Sequence, residues 1–249
     1  MDIIARRVEF IPKMIDLLVN KVEVFCADEQ GWDLHKARKR KGHAPAGEPA
    51  VVALQPKGDR VSLIGALSRS GMVMHQFVHS LGPKKRGVDA KDFDYFLTKL
   101  RMHPSVHGRR IALLVDNAKI HHAELLAPTI ASLREHDHIE VIFLPPYSPF
   151  LNPIEYAFNV LLLKMQNKEF HGPAELQGAL AHAIEEITPV MASGFFDKAQ
   201  SYWEQAKLGI PFRGKILEPL HSGSDVSAPS EATGVAPPPA AAGVASAPS

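Results

Sequence analysis

Residues 110–116 read RIALLVD, and this stretch decides the architecture. Its unbroken apolar interior, Ile111 to Val115, is the pattern of a central strand buried on both faces, where a half-exposed strand would alternate. Its last residue is Asp116, and ligand sites in α/β sheets gather at such carboxyl ends. Downstream, residues 123–135 have helical spacing, residues 140–144 (EVIFL) read as another strand, and a proline-rich loop (145–151) leads into a helix over 152–166. Further helices are expected over 174–187 and 195–207. Upstream, residues 22–27 (VEVFCA), 60–66 (RVSLIGA) and 72–78 (MVMHQFV) read as strands, the last two joined by the turn residues 68–71 into a hairpin or meander. Residues 92–100 form a helix before the central strand. Three strands followed by helix, strand, helix, strand and helices predict an α/β fold: a mixed sheet with flanking helices, its later strands joined by parallel crossovers.

The 249 residues suffice for one sizeable domain, and 45% hydrophobic with 22% charged content is ordinary for a globular chain. A formal net charge of +1 excludes a global polycation, so nucleic-acid binding must come from local patches. The single cysteine, Cys26, excludes an internal disulfide and a cysteine-rich zinc site, and reads as a small buried hydrophobe. With no bilayer-length apolar run and no signal-peptide pattern, the expectation is an intracellular protein without a membrane partner. Residues 1–20 read as a helical lead-in or linker. Ile4, Val8, Ile11, Ile15 and Leu18 have helical spacing there, and Pro12 is expected to break or restart the helix. The Ala/Pro/Ser-rich residues 222–249 are expected to be disordered, within a linker and tail over 213–249.

Three acidic residues stand where chemistry could gather. Asp28 follows the first strand with the parity of Val24 and Cys26, Asp116 ends the central strand, and Glu155 lies at the third position of a helix that Asn152 could cap and Pro153 start. Each has an ordinary structural reading: turn residues for the aspartates, a capping box for Glu155. Together, at one edge of the sheet, three carboxylates would repel one another unless a cation neutralises them. Hard Mg²⁺ or Mn²⁺ suits such oxygen ligands, and two ions about 4 Å apart would stabilise both the attacking and the leaving oxygen of a phosphodiester displacement.

The blocks FCADEQGW (25–32), LLVDNAKIHHA (113–123) and LPPYSPFLNPIEYAFNVLLLK (144–164) resemble the three motif blocks of mariner-like DDE transposases, particularly the bacterial insertion-sequence relatives. The third block, Pro-Tyr-Ser-Pro followed by Leu-Asn-Pro-Ile-Glu, is the most specific. The resemblance covers residues 21–167, with weaker similarity to about 212, so a catalytic domain is expected over 21–212. It implies a ribonuclease H-like mixed five-stranded sheet, with Asp28, Asp116 and Glu155 as catalytic residues and ligands of two Mg²⁺ or Mn²⁺ ions. It implies DNA cleavage and strand transfer, with transposon ends and target DNA as partners and a possible homodimer. Glu29, Asn117 and His121 flank the triad and are expected to support it or face DNA. Lys36, Arg38, Lys39, Arg40, Lys41, Lys84, Lys85 and Arg86 are candidate phosphate contacts. Trp32 is expected either to stack on a base or to pack at the sheet edge. Relatives carry helix-turn-helix domains ahead of the core, and this chain is expected to lack its own. The alternative expectation is an inactive or domesticated DNA-binding remnant. A zinc site at His121 and His122 is disfavoured, because adjacent histidines point apart and no second ligand pair has suitable spacing.

Overall fold

In the computed structural model, which describes residues 2–34, 47, 60–80, 87–166 and 168–210, the apolar run folds as strand β4 (Ile111–Val115), buried throughout. It lies parallel to β1 (Glu23–Asp33) on one side and to β5 (Ile139–Phe143) on the other. Antiparallel pairing continues outward from β1 to β2 (Arg60–Ser68) and then to β3 (Gly71–Ser80). The order β3-β2-β1-β4-β5 makes a mixed five-stranded sheet, antiparallel among its first three strands and parallel from β1 through β4 to β5, as expected.

Helices cover both faces. Helices α2 (Ala90–Leu100) and α3 (Ala127–His136) pack on the side of Phe25, Ala27, Ile64 and Leu113. The other side, carrying Val24, Cys26, Leu63 and Leu114, receives α1 (Ile3–Val19), α4 (Pro153–Met165), α5 (Pro173–Glu185), α6 (Pro189–Gln200) and α7 (Trp203–Lys207). The parity of each strand decides which helix layer its side chains meet. Cys26 is buried, its thiol directed to the Leu67 carbonyl at 3.6 Å, in the packing role expected of it.

Several local expectations are corrected. Pro12 neither breaks nor restarts the first helix, which runs from Ile3 to Val19 in one piece. Burial of Phe10, Ile11, Met14 and Leu17 offsets the one main-chain hydrogen bond that proline cannot make. Of the five apolar residues whose spacing marked this helix, Ile11 is buried while Ile4, Val8, Ile15 and Leu18 stay partly exposed. The helix expected from residue 123 begins instead as two 3₁₀ turns, Lys119–His122 and Glu124–Leu126, before α3. The last expected helix is two, α6 and α7, separated at Ser201–Tyr202. Among the described residues no helix is long and apolar enough to cross a membrane.

The candidate metal centre at the end of the sheet

β1 does not stop after Ala27 as its apolar pattern suggested; it continues to Asp33. β4 accompanies it only through the pair Ala27↔Val115. One step further, Asp28 on β1 and Asp116 after β4 stand as neighbours at the point where the parallel ladder ends. Asp28 remains held in the sheet by β2, opposite Gly65. It is thus not a turn residue but a mid-strand carboxylate, only 5% exposed. Its Oδ2 accepts from Asn152 Nδ2 at 2.9 Å and its Oδ1 from the Glu29 amide at 2.7 Å. Burial, reinforced by Glu155, Asp116 and Glu29, pushes its pKa well above the ordinary carboxylate range.

Gly65 explains how α4 comes so near. A Cβ there would point to the face of Leu63 and Leu67 and would lie 2.8 Å from Met72 Cε and 3.3 Å from Ile154 Cδ1. Without one, the first turn of α4 lies down against β2 and brings Asn152 to Asp28. The chain enters that helix through a 3₁₀ turn, Pro149–Leu151, pinned by the Tyr156 hydroxyl donating to the Phe150 carbonyl at 3.0 Å. Asn152 occupies the N-cap position, yet its side chain makes no capping hydrogen bond, being committed to Asp28. No capping box forms, and Glu155 projects from the first turn with its pKa raised to about 7 by burial, by Asp116 and by Glu29.

Asp116 is oriented from the opposite direction. Its Oδ1 accepts from the Ala118 amide at 3.0 Å and pairs with His121 Nδ1 at 2.5 Å. The other ring nitrogen of His121 meets Glu29 Oε2 at 3.1 Å, and the ring lies 4.2 Å from that of Phe93, centroid to centroid. Burial disfavours charge on His121, but hydrogen bonds to Asp116 and Glu29 more than offset it and push its pKa up to about 10. Both nitrogens then donate. For Asp116, burial acts upward, while His121 and the Ala118 amide bring its pKa below the ordinary value. Two of the three flanking residues, Glu29 and His121, therefore form a chain with Asp116, Glu29–His121–Asp116. Asn117 is engaged separately, its Oδ1 accepting from His122 Nε2 at 2.5 Å.

A cleft of about 450 Å³ opens beside these groups, lined by Asp116, Asn152 and Glu155 together with Lys119 and Tyr147. Among the described residues no three acidic, histidine or cysteine side chains close up to single-ion ligand spacing. Asp116 is turned onto His121 and Asp28 onto Asn152, which accounts for the open arrangement. The donor set, all hard oxygen, suits Mg²⁺ or Mn²⁺.

Trp32 takes the packing role of its two expected ones. It is 2% exposed, edge-on to Phe158 at 6.0 Å, and so cannot stack on a base. Lys36, Arg38, Lys39, Arg40, Lys41, Lys84, Lys85 and Arg86 lie outside the described residues. The roles of Gly65, Asn152 and the Glu29–His121 link were not anticipated. Glu29, His121 and Asn152 lie in the motif blocks, which was the signal available for them; Gly65 lies in none.

A family model for DDE superfamily endonucleases matches residues 23–177, more than half of the chain. Curated protein sequences give no match. Solved structures do. The Mos1 strand transfer complex aligns with TM-score 0.69 at 19% identity, over 86% of this chain and 63% of that one. The Mos1 mariner paired end complex with Mn aligns with TM-score 0.69 at 18% identity, over 85% and 64%. The isolated catalytic domain of Mos1 mariner transposase aligns with TM-score 0.61 at 17% identity, over 84% of this chain and 95% of that domain. This chain thus spans just under two thirds of the longer relatives and nearly all of the catalytic domain. The shared fold is the ribonuclease H-like mixed sheet with flanking helices.

Proposed function

The chain belongs to the DDE superfamily of endonucleases, and on that footing we propose that it is the catalytic domain of a mariner-like transposase, with Asp28, Asp116 and Glu155 as ligands of two divalent ions. The observation that carries this reading is the convergence of the three carboxylates at one end of the sheet, with Asp28 raised in pKa by burial, Glu155 and Asp116, and Glu155 by burial, Asp116 and Glu29. Unbalanced negative charge in a partly buried site is costly, and cations of +2 charge offset it. Mg²⁺ and Mn²⁺ are the ions named with Mos1 structures of this fold.

When bound, such ions would activate the attacking water or 3′-hydroxyl and neutralise charge at phosphorus. The protein's own part is positional. Asn152 and the Glu29 amide hold the Asp28 carboxylate by hydrogen bonds to its two oxygens. His121 and the Ala118 amide hold Asp116 through its Oδ1. Lys119, exposed on the cleft wall, is placed for a DNA phosphate. In the first step water would attack phosphorus and the bond to the 3′ oxygen would break, leaving a 3′-hydroxyl. In the second, that hydroxyl would attack a target phosphodiester and displace another 3′ oxygen, with no covalent protein intermediate. DNA ends and target are the proposed substrates, and pairing of two ends would be served by a homodimer.

The test is Mn²⁺-dependent nicking of supercoiled plasmid by the purified chain, beside Asp116→Asn. We expect nicking by the wild type and a loss of at least about 100-fold in the variant, the scale of removing a principal charge-stabilising group. Equal nicking by both proteins would refute the assignment.

A further inference from the structure

The loop that forms the outer wall of the cleft, residues 145–149, is Pro-Pro-Tyr-Ser-Pro. Every residue around its tip is tied down. Pro145 and Ser148 are buried, and the Ser148 hydroxyl donates to the Pro146 carbonyl at 3.0 Å. Arg7, reaching across from α1, donates from Nε to Ser148 Oγ and from Nη2 to the Tyr147 carbonyl, both at 2.8 Å. Its guanidinium also lies 5.1 Å from the Phe150 ring centroid. Three prolines and a double hydrogen bond from a distant helix leave the loop little freedom.

What this framework holds up is an aromatic ring in solvent. Tyr147 is 82% exposed, and its backbone sits at φ +51°, in the left-handed region that a tyrosine adopts only under constraint. A large ring on a strained backbone, uncovered at the rim of the carboxylate cleft, contributes nothing to the core. Resting on the functional reading above, we propose that Tyr147 is a DNA-binding residue that stacks on an unpaired base beside the reacting phosphodiester, with Arg7 as the residue that positions it. Aromatic platforms bind single-stranded DNA because every base offers a π-face, whatever the sequence. DNA opened at a cleavage or joining point exposes such bases, and a ring already fixed in place loses little entropy on binding them. The base-stacking role that the sequence offered to Trp32 thus falls to Tyr147 instead.

The test uses a short single-stranded oligonucleotide carrying 2-aminopurine, whose fluorescence is quenched by stacking, and a fully paired duplex as control, both in metal-free buffer. Tyr147→Asn removes the ring while tolerating the left-handed backbone, and Tyr147→Trp and Tyr147→Phe keep a ring. We expect the asparagine variant to lose the quenching and bind the single strand about tenfold more weakly, with duplex affinity changed less than about twofold. The tryptophan and phenylalanine variants should retain both quenching and affinity. Arg7→Lys, keeping the charge but not the paired donors, should fall between. Undiminished quenching in Tyr147→Asn, failure of the phenylalanine variant, or no quenching by the wild type would each overturn the proposal. Quenching that depends on Tyr147 in a protein that never nicks DNA would instead overturn the catalytic reading and leave this one standing.

Discussion

Replacing Glu155 by glutamine should make the metal-free protein more stable near pH 8 and leave it nearly unchanged near pH 5. The folded protein holds the Glu155 proton up to a pKa of about 7, against 4.5 for the unperturbed group. Between those values the folded state binds more protons than the unfolded chain, so stability falls as pH rises through this window and is lowest above about pH 7. A displacement of about 2.5 units corresponds to about 3 kcal/mol, reduced to about 2 kcal/mol for a side chain that retains some solvent contact. Glutamine has the same shape and cannot ionise, so it escapes this penalty at high pH. For a domain of this size about 2 kcal/mol is a rise in Tm of roughly 4–8 °C. The assay is calorimetry or urea unfolding in EDTA at the two pH values, for both proteins. Saturating Mn²⁺ should then reverse the order, because the wild type gains binding energy that the variant has partly lost. A glutamine variant that is less stable at pH 8, or equally shifted at both pH values, would refute the argument that burial and carboxylate repulsion together disfavour the ionised Glu155.

Two further outcomes test how the fold positions the site. Gly65→Val should cost about 1–3 kcal/mol in urea unfolding, because its side chain would meet Met72 and Ile154. It should also lower Mn²⁺-dependent nicking even at temperatures where the protein remains folded, since Asn152 and Glu155 ride on the displaced helix. Trp32→Ala should cost about 3–5 kcal/mol by the same measurement, while the variant that remains folded should bind single-stranded DNA as the wild type does. A DNA-binding defect in folded Trp32→Ala would contradict its burial against Phe158.

Much of the architecture could be read along the chain because it follows from local periodicity. The apolar run before Asp116 had the pattern of a strand covered on both sides, and the spacing of helices and strands after it implied parallel crossovers. The three acids were legible as members of motif blocks, and Asp116 and Glu155 also as residues at the ends of elements; Asp28 was read as following a strand that in fact continues through it. The extent of β1 was not legible, because Glu29 and Gln30 break its apolar alternation. Their backbone groups are nonetheless satisfied by pairing with Ile64 and Leu63, across a sheet that no local pattern describes. Pro12 misled for a similar reason: the lost hydrogen bond is local, while the burial that outweighs it is supplied by other elements.

The site divides along the same line. Sequence alone determined which residues carry charge, and that Asp116 and Glu155 fall near the ends of a strand and a helix. Only the tertiary structure decided that Asp28 would be buried mid-strand, that Asn152 would leave its cap for that carboxylate, and that His121 would bridge Asp116 to Glu29. It also withdrew Trp32 into the core and raised Tyr147 into solvent on a loop braced by Arg7, 140 residues away in sequence. Periodicity reports which face of an element is apolar. Close approach between elements depends on what each lacks as well as what it carries, and the absent side chain of Gly65 has no periodicity to reveal it.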